Sequence, residues 1–572
     1  MHEHNRHDDR ATIAAALLAI AIALFLIALM PATMLWDRDE TLYARTAIEM
    51  MRSGNFLLPT FNGEVFAHKP PMVYWLMALG FALFGENELG ARFVSAPFMA
   101  GSAFVTFLIG RRLHSARAGL WAMAALTTTT LTVFVGSAAM LDATLLFFVC
   151  LSIYAYVEIV YAPQRANAMT ALFFVALLAS IFVKGPVGPA VVCTTLLVSW
   201  LAMEPGRRPS FGRMVALAAL SVLAFLVFLA WLVPADTRSG GEMMRTGIGY
   251  HIVERALTPL EGHGGGRTLG WLGTLPYYIP VVLIGFFPWV LYLPAALVGL
   301  VRGTLATRRE RAILLGWMVP TFVMFSLAAT KLPHYLLPAF PAFALAVGIQ
   351  IVRTIEAGTL SRALRAGLVY YALGAIAFAA LVAASPFLLP AGPSPIAALA
   401  LAIAVVAATG LVVRLFRRAD LVGANRALAI ATPALFAALL WTVVPAVEPA
   451  IKISRPLAEL IQTHRGPQTR VVTLGYFEPS IVFYASQPID RPILPLPEGQ
   501  DGIARLAALE EEVLVVATRE QLEGAAALAG ERGFEEIARV SAINTNRGGR
   551  VEEVILARRP AAPAAALSAT GG

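Results

Sequence analysis

Three carboxylates, Asp37, Asp39 and Glu40, stand in the run WDRDETLYAR at 36–45, where the first long apolar stretch ends. Carboxylates at a lipid boundary stay ionised only beside cations or hydrogen-bond donors. Such a cluster can serve as a general base or stabilise an electron-poor sugar carbon. The same acids also suit the N-terminus of the helix that the following TLYARTAIEM predicts, with Asp37 or Asp39 as its cap. Lysine usage favours chemistry. The chain has four lysines, Lys69, Lys184, Lys331 and Lys452, and all four fall at or beyond the outer membrane face, where basic residues are disfavoured. Three occur with proline, in HKPP at 68–71, KGP at 184–186 and KLP at 331–333, and proline restricts the backbone that carries them. Cations gathered on that face imply an anionic ligand, phosphate foremost. Snorkelling to lipid headgroups accounts for any single lysine, less readily for four.

Asp142, in MLDAT at 140–144, is a second acid at an outer helix boundary, where an N-cap is the competing reading. A later polar segment carries His251, Glu254, Arg255, His263 and Arg267 around GHGGGR at 262–267, the composition of a loop that closes over substrate. TKLPHY at 330–335 brings Lys331, His334 and Tyr335 to the same face. Histidine with carboxylate can ligate zinc, but no tight two-ligand spacing occurs, so the residues by themselves assign no metal.

The elements that must position these groups are membrane helices. With 572 residues, 58% hydrophobic and 14% charged, the chain lacks the charge a water-facing surface needs. About thirteen apolar spans are predicted, starting with 11–34, 90–110, 118–135 and 143–161, including 187–203 and 276–301, and ending at 426–445. Short arginine-bearing connections follow every second span, which places the N-terminus in the cytoplasm. The net charge of +8 is thereby a topology signal and not a nucleic-acid footprint. The two cysteines, Cys150 and Cys193, lie inside apolar spans and read as packing residues.

This gives a transmembrane unit over 1–446 with outer loops at 36–71 and 235–275. The apolar run 72–84 is too short to span and reads as interfacial or re-entrant. From 447 to 560 short β-branched runs at 470–476, 481–484 and 512–517 alternate with a helical stretch at 520–534, predicting a small extracytoplasmic α/β domain. An Ala- and Pro-rich tail at 561–572 reads as disordered.

The order DETLYA, HKPP before YWL, GARF at 90–93, MLD, KGP, then KLPHY followed by LPAFP resembles the bacterial lipid A 4-amino-4-deoxy-L-arabinose transferases. More broadly it is similar to the protein O-mannosyltransferase-related GT-C superfamily. The resemblance implies that Asp39 is the essential loop-one carboxylate with Glu40 beside it, and that Asp142 is the second outer acid. Lys69 and Arg255 match basic groups that hold the lipid phosphate, Tyr335 matches a tyrosine near it, and Lys331 joins them. Tyr43, His68, Lys184 and His251 complete the expected substrate site. Two positions depart from the family: His68 stands where an acid is usual, and the second-loop histidine, His251, is shifted by one position relative to the arginine. Both fall beside a zinc site of that family, so zinc is the one cofactor the resemblance raises, and it stays unassigned.

The resemblance implies an inverting glycosyltransferase that moves a sugar from undecaprenyl phosphate to lipid A or a related envelope acceptor. Its active site would face the periplasm from a bacterial inner membrane. A protein O-glycosyltransferase is the alternative. A lipid-linked sugar transporter fits less well, because the polar residues gather at one face and no repeated halves are evident.

Overall fold

The computed structural model describes residues 2–36, 39–254, 257–258, 270–389, 392–485, 492–528, 533–544 and 550–561. Asp37, Arg255, His263, Arg267 and nearly all of the 561–572 tail lie outside these described residues. Within them, ten helices are long and apolar enough to cross a membrane. An eleventh crossing results if Ala116–Thr127 and Thr130–Gly136, bent by 69° at their junction, make one span. The expected thirteen shrink for local reasons. Val187–Ala202 is apolar but has only 16 residues, and the expected span 276–301 is divided into Tyr278–Gly285, Trp289–Leu291 and Leu293–Arg302. Pro288 and Pro294 fall at these divisions and have no N–H to continue a helix.

The two broken spans satisfy each other. The N–H of Thr130 donates to the carbonyl of Phe287 at 3.0 Å, and Trp289 Nε1 donates to Thr128 Oγ1 at 2.6 Å. Non-helical backbone at membrane depth is stable only when buried against such partners.

On the side where the first span ends, helix Asp39–Ser53 leads to a hairpin, Thr60–Phe61 with Glu64–Val65. Its turn residues Asn62 and Gly63 both have positive φ, 54° and 82°, as a two-residue hairpin turn requires. Glu49, paired with Arg45, accepts from Thr60 Oγ1 and from the N–H groups of Asn62 and Gly63, fixing the hairpin on the helix. Helix Met72–Phe84 follows, with 13 residues, too short to span as expected. Its Leu79 and Leu83 are exposed, and Gly80 packs so closely on Gly90 that a Cβ there would lie 2.2 Å from the Gly90 carbonyl.

After helix Val444–Ile451 the chain forms a five-stranded sheet. Arg470–Leu474 pairs in parallel with Leu494–Leu496 and Val513–Thr518; Arg550–Arg559 pairs antiparallel with Val513–Thr518 and Glu535–Asn544. The run at 481–484 that the sequence offers as a strand is helical, within Pro479–Ala485. Proline at the helix start presets its φ, and the helix packs on Ser454–His464. The hairpin meets the sheet region directly, because the Asn62 side chain donates to the Ile493 carbonyl and accepts from its N–H, at 2.8 and 3.0 Å. Loop one and the C-terminal region therefore lie on one face.

Candidate functional site

Asp39 and Glu40 open helix Asp39–Ser53 but point to different partners. Asp39 accepts a hydrogen bond from the Tyr43 hydroxyl one turn on, at 3.1 Å. Tyr43 is buried beside Tyr74, ring centroids 6.1 Å apart. Burial, then the nearby charge of Asp39 and the further influence of Tyr74, Asp142 and Tyr335, push its phenol well above the usual tyrosine pKa. Tyr43 stays protonated and donates.

Glu40 departs from the expectation of a second reacting acid. It is 1% exposed and forms a two-point pair with Arg92, which is 2% exposed. Nε–Oε1 and Nη2–Oε2 are both 2.8 Å. The N–H groups of Trp36 and Ala139 fill its remaining acceptor positions. Arg92 also donates to the carbonyls of Met30, Thr33 and Met34 and to Thr33 Oγ1, closing the end of the first span. With both oxygens taken, Glu40 has no lone pair for substrate. The sequence signal for Arg92 is its place in GARF at 90–93, an arginine outside the cytoplasmic connections.

Asp142 lies in the first turn of helix Leu141–Tyr161 and Lys184 ends helix Ala166–Lys184, each at the helix end whose dipole suits its charge. Lys184 Nζ is 2.7 Å from Asp142 Oδ1, His334 Nε2 is 3.8 Å from Oδ2, and the Lys184 ammonium sits 4.7 Å over the Tyr335 ring. Asp142 is therefore an ion-pair partner and not an N-cap, a position Met140 fills. Asp39, Lys69 and Lys184 also act electrostatically on His334, so the acids and cations form one cluster.

Beside the cluster is a cavity of about 600 Å³. Its lining includes the polar His68, Lys69, Lys184, His251, Thr330 and Tyr335 and the apolar Phe225, Phe228, Trp231, Leu232, Met324 and Phe325. His68 stacks between Phe66 and His251, each ring pair 4.0 Å apart between centroids. Among the described residues no three His, Cys, Asp or Glu side chains come together to hold a metal ion. Among the described residues, the two imidazoles fall short of the three or four protein ligands of a zinc site.

The four lysines do not share one environment. Lys69 and Lys184 line the cavity, but Lys331 does not. Its buried ammonium donates to the carbonyls of Ser326 and Ala328, at the end of helix Arg308–Leu327. Those carbonyls lack intrahelical partners and attract a cation, so Lys331 caps the helix end. Lys452 pairs with Glu448 at 2.6 Å and donates to the Met34 carbonyl at 2.7 Å.

The chain is a polytopic helical membrane protein with a one-sided acid and lysine cluster beside an apolar cavity, and its fold is of the GT-C type. The crystal structure of ArnT from Cupriavidus metallidurans bound to undecaprenyl phosphate superposes with TM-score 0.76 at 20% identity, covering 95% of this chain and 97% of that one. The dolichyl-phosphate-mannose-protein mannosyltransferase family pattern matches residues 68–233. An undecaprenyl phosphate-alpha-4-amino-4-deoxy-L-arabinose arabinosyl transferase of Edwardsiella ictaluri is 30% identical over 343 residues, 59% of each chain. One of Pseudomonas aeruginosa (strain UCBPP-PA14) is 30% identical over 375 residues, 64% of each. The chain thus matches about three-fifths of the length of these curated relatives. The likeness to the aminoarabinose transferases read from the motifs is present in both sequence and fold.

Proposed function

We propose that this chain transfers a sugar, 4-amino-4-deoxy-L-arabinose being the candidate, from undecaprenyl phosphate to lipid A or a related envelope acceptor. The reaction inverts the anomeric centre and takes place at the periplasmic face of a bacterial inner membrane. The observation that carries this reading is one cavity lined both by Lys69, Lys184 and Tyr335 and by aromatic and aliphatic side chains. A lipid phosphate needs both halves: cations for the head and an apolar groove for the tail.

In the step proposed, the acceptor oxygen attacks the anomeric carbon from the face opposite the phosphate. The bond from that carbon to the phosphate oxygen breaks, and the electron pair leaves with the lipid phosphate. Fixed cations stabilise that growing charge better than reorienting water does. Lys69 and Lys184 supply them, with Arg255 assigned to the same task by resemblance. Asp39, steadied by the Tyr43 hydroxyl, orients the acceptor and takes its proton when the acceptor is a hydroxyl. An ionised phosphate acceptor has no proton to give. Asp142 holds Lys184 in place.

The test is transfer by the purified protein in lipid, with an undecaprenyl-phosphate sugar and lipid A. Full transfer by Asp39→Asn rejects the role given to Asp39, and reporter fusions that place Asp39 and Lys69 in the cytosol reject the whole arrangement. The mannosyltransferase pattern over 68–233 favours a second reading, a protein acceptor, and label recovered on protein instead of lipid selects it.

A further inference from the structure

Three consecutive backbone N–H groups lead from the first span toward Asp39, and each is held by a different side chain. Met34 N–H donates to both oxygens of Glu448, at 3.0 and 2.9 Å. Leu35 N–H donates to the Tyr484 hydroxyl at 2.9 Å, and Trp36 N–H donates to Glu40 at 2.7 Å. The Met34 carbonyl accepts from both Arg92 and Lys452. Glu448 and Lys452 are paired and both 6% exposed; the Tyr484 hydroxyl in turn donates a hydrogen bond to Glu88 at 3.0 Å. The Lys452 ammonium also lies 4.2 Å over the Trp36 ring.

Water satisfies the backbone of an ordinary loop leaving a membrane. Here two buried charges and a tyrosine, more than 400 residues away in sequence, do so instead. Burying an ion pair costs desolvation that its attraction only partly repays, so such a pair is a poor stability device. It does restrict the chain to one geometry, and reaction rates are sensitive to geometry: a displacement of about 1 Å can cost about a hundredfold.

We propose that Glu448, Lys452 and Tyr484 are positioning residues for the transfer. They fix residues 34–36 so that Asp39, three residues beyond, presents its carboxylate in register with the cavity. This assignment rests on the transfer reading above. It gives the C-terminal region a catalytic consequence although none of the three residues is among those lining the cavity.

A simple anchor and a positioning device differ in what they change. For positioning, Tyr484→Phe and Glu448→Leu lower kcat about tenfold to a hundredfold with donor KM within about twofold, because the phosphate cradle is untouched. Glu448→Gln, which keeps a carbonyl oxygen for Met34 N–H, stays within about threefold of wild type. Amide hydrogen exchange over the peptide containing residues 34–36 accelerates in Tyr484→Phe and Glu448→Leu, and not in Asp39→Asn. Tyr484→Phe removes one oxygen atom and carries the test if Glu448→Leu does not fold. Unchanged exchange, faster exchange with unchanged kcat, or a raised KM at constant kcat each overturns the proposal. Absence of transfer by the wild type overturns the transfer reading and this assignment together, whereas unchanged exchange with transfer intact overturns the clamp alone.

Discussion

Arg92 and Glu40 meet through two parallel hydrogen bonds of 2.8 Å, both side chains buried, 52 residues apart in sequence. The pair joins the second span to the helix that carries Asp39, and Arg92 at the same time closes the end of the first. Arg92→Met leaves a buried carboxylate without its cation and is expected to cost roughly 3–5 kcal/mol of stability. Glu40→Gln keeps an acceptor for Trp36 N–H and leaves Arg92 its carbonyls, so about 1–3 kcal/mol is expected. Unfolding of the two variants in mixed micelles checks the order, and equal losses contradict it.

The same pair sets an acid limit. Burial alone raises the Glu40 pKa, but the Arg92 charge and the hydrogen bonds from Arg92, Ala139 and Trp36 outweigh it and hold the carboxyl below the usual glutamate value. A depressed folded-state pKa contributes stability above the unfolded value, about 4.3, and loses it as pH falls through the lower folded value. The stability gap between wild type and Glu40→Gln should stay constant from about pH 8 to 5 and narrow below about 4.3. Melting temperatures across that range measure it, and a gap that persists at pH 3 removes Glu40 as the titrating group.

The lysines separate by what their ammonium groups touch. Lys69→Met removes a cation from the cavity and is expected to lower transfer about a hundredfold. Lys184→Met should do as much, since it also strips Asp142 of its 2.7 Å partner. Lys331→Met leaves the cavity lining intact and should keep transfer within about threefold, while the uncapped carbonyls of Ser326 and Ala328 cost about 1–3 kcal/mol. Donor kinetics and unfolding of the three variants side by side provide the check.

These contrasts mark what could be read in the residues. The helical bundle and the short 72–84 helix were legible because hydropathy is a local signal. The cluster was legible as a set of charges at one face, but which charge meets which was not. Glu40–Arg92, Lys331 with its own helix end and Lys452 with Met34 are settled by three-dimensional pairing, the last across 418 residues. The run at 481–484 could not be told from a strand, since a short apolar stretch has no period to decide it. The hairpin at Asn62-Gly63 carries its turn signal in the Asn-Gly pair itself, whose positive φ angles the turn requires.

The apolar walls of the cavity make the last prediction. Ala190, on helix Val187–Ala202, lines the cavity with a methyl group only. Ala190→Trp fills part of the groove and leaves Lys69, Lys184 and Asp39 unsubstituted. Each buried methylene of a lipid tail contributes roughly 0.8 kcal/mol, so blocking two of them weakens donor binding about tenfold to twentyfold. KM for the undecaprenyl donor should rise by that factor, whereas a donor with a short prenyl chain, which never reaches the blocked wall, should change less than about twofold. Equal effects on both donors would mean that the tail lies elsewhere and that this cavity receives only the head.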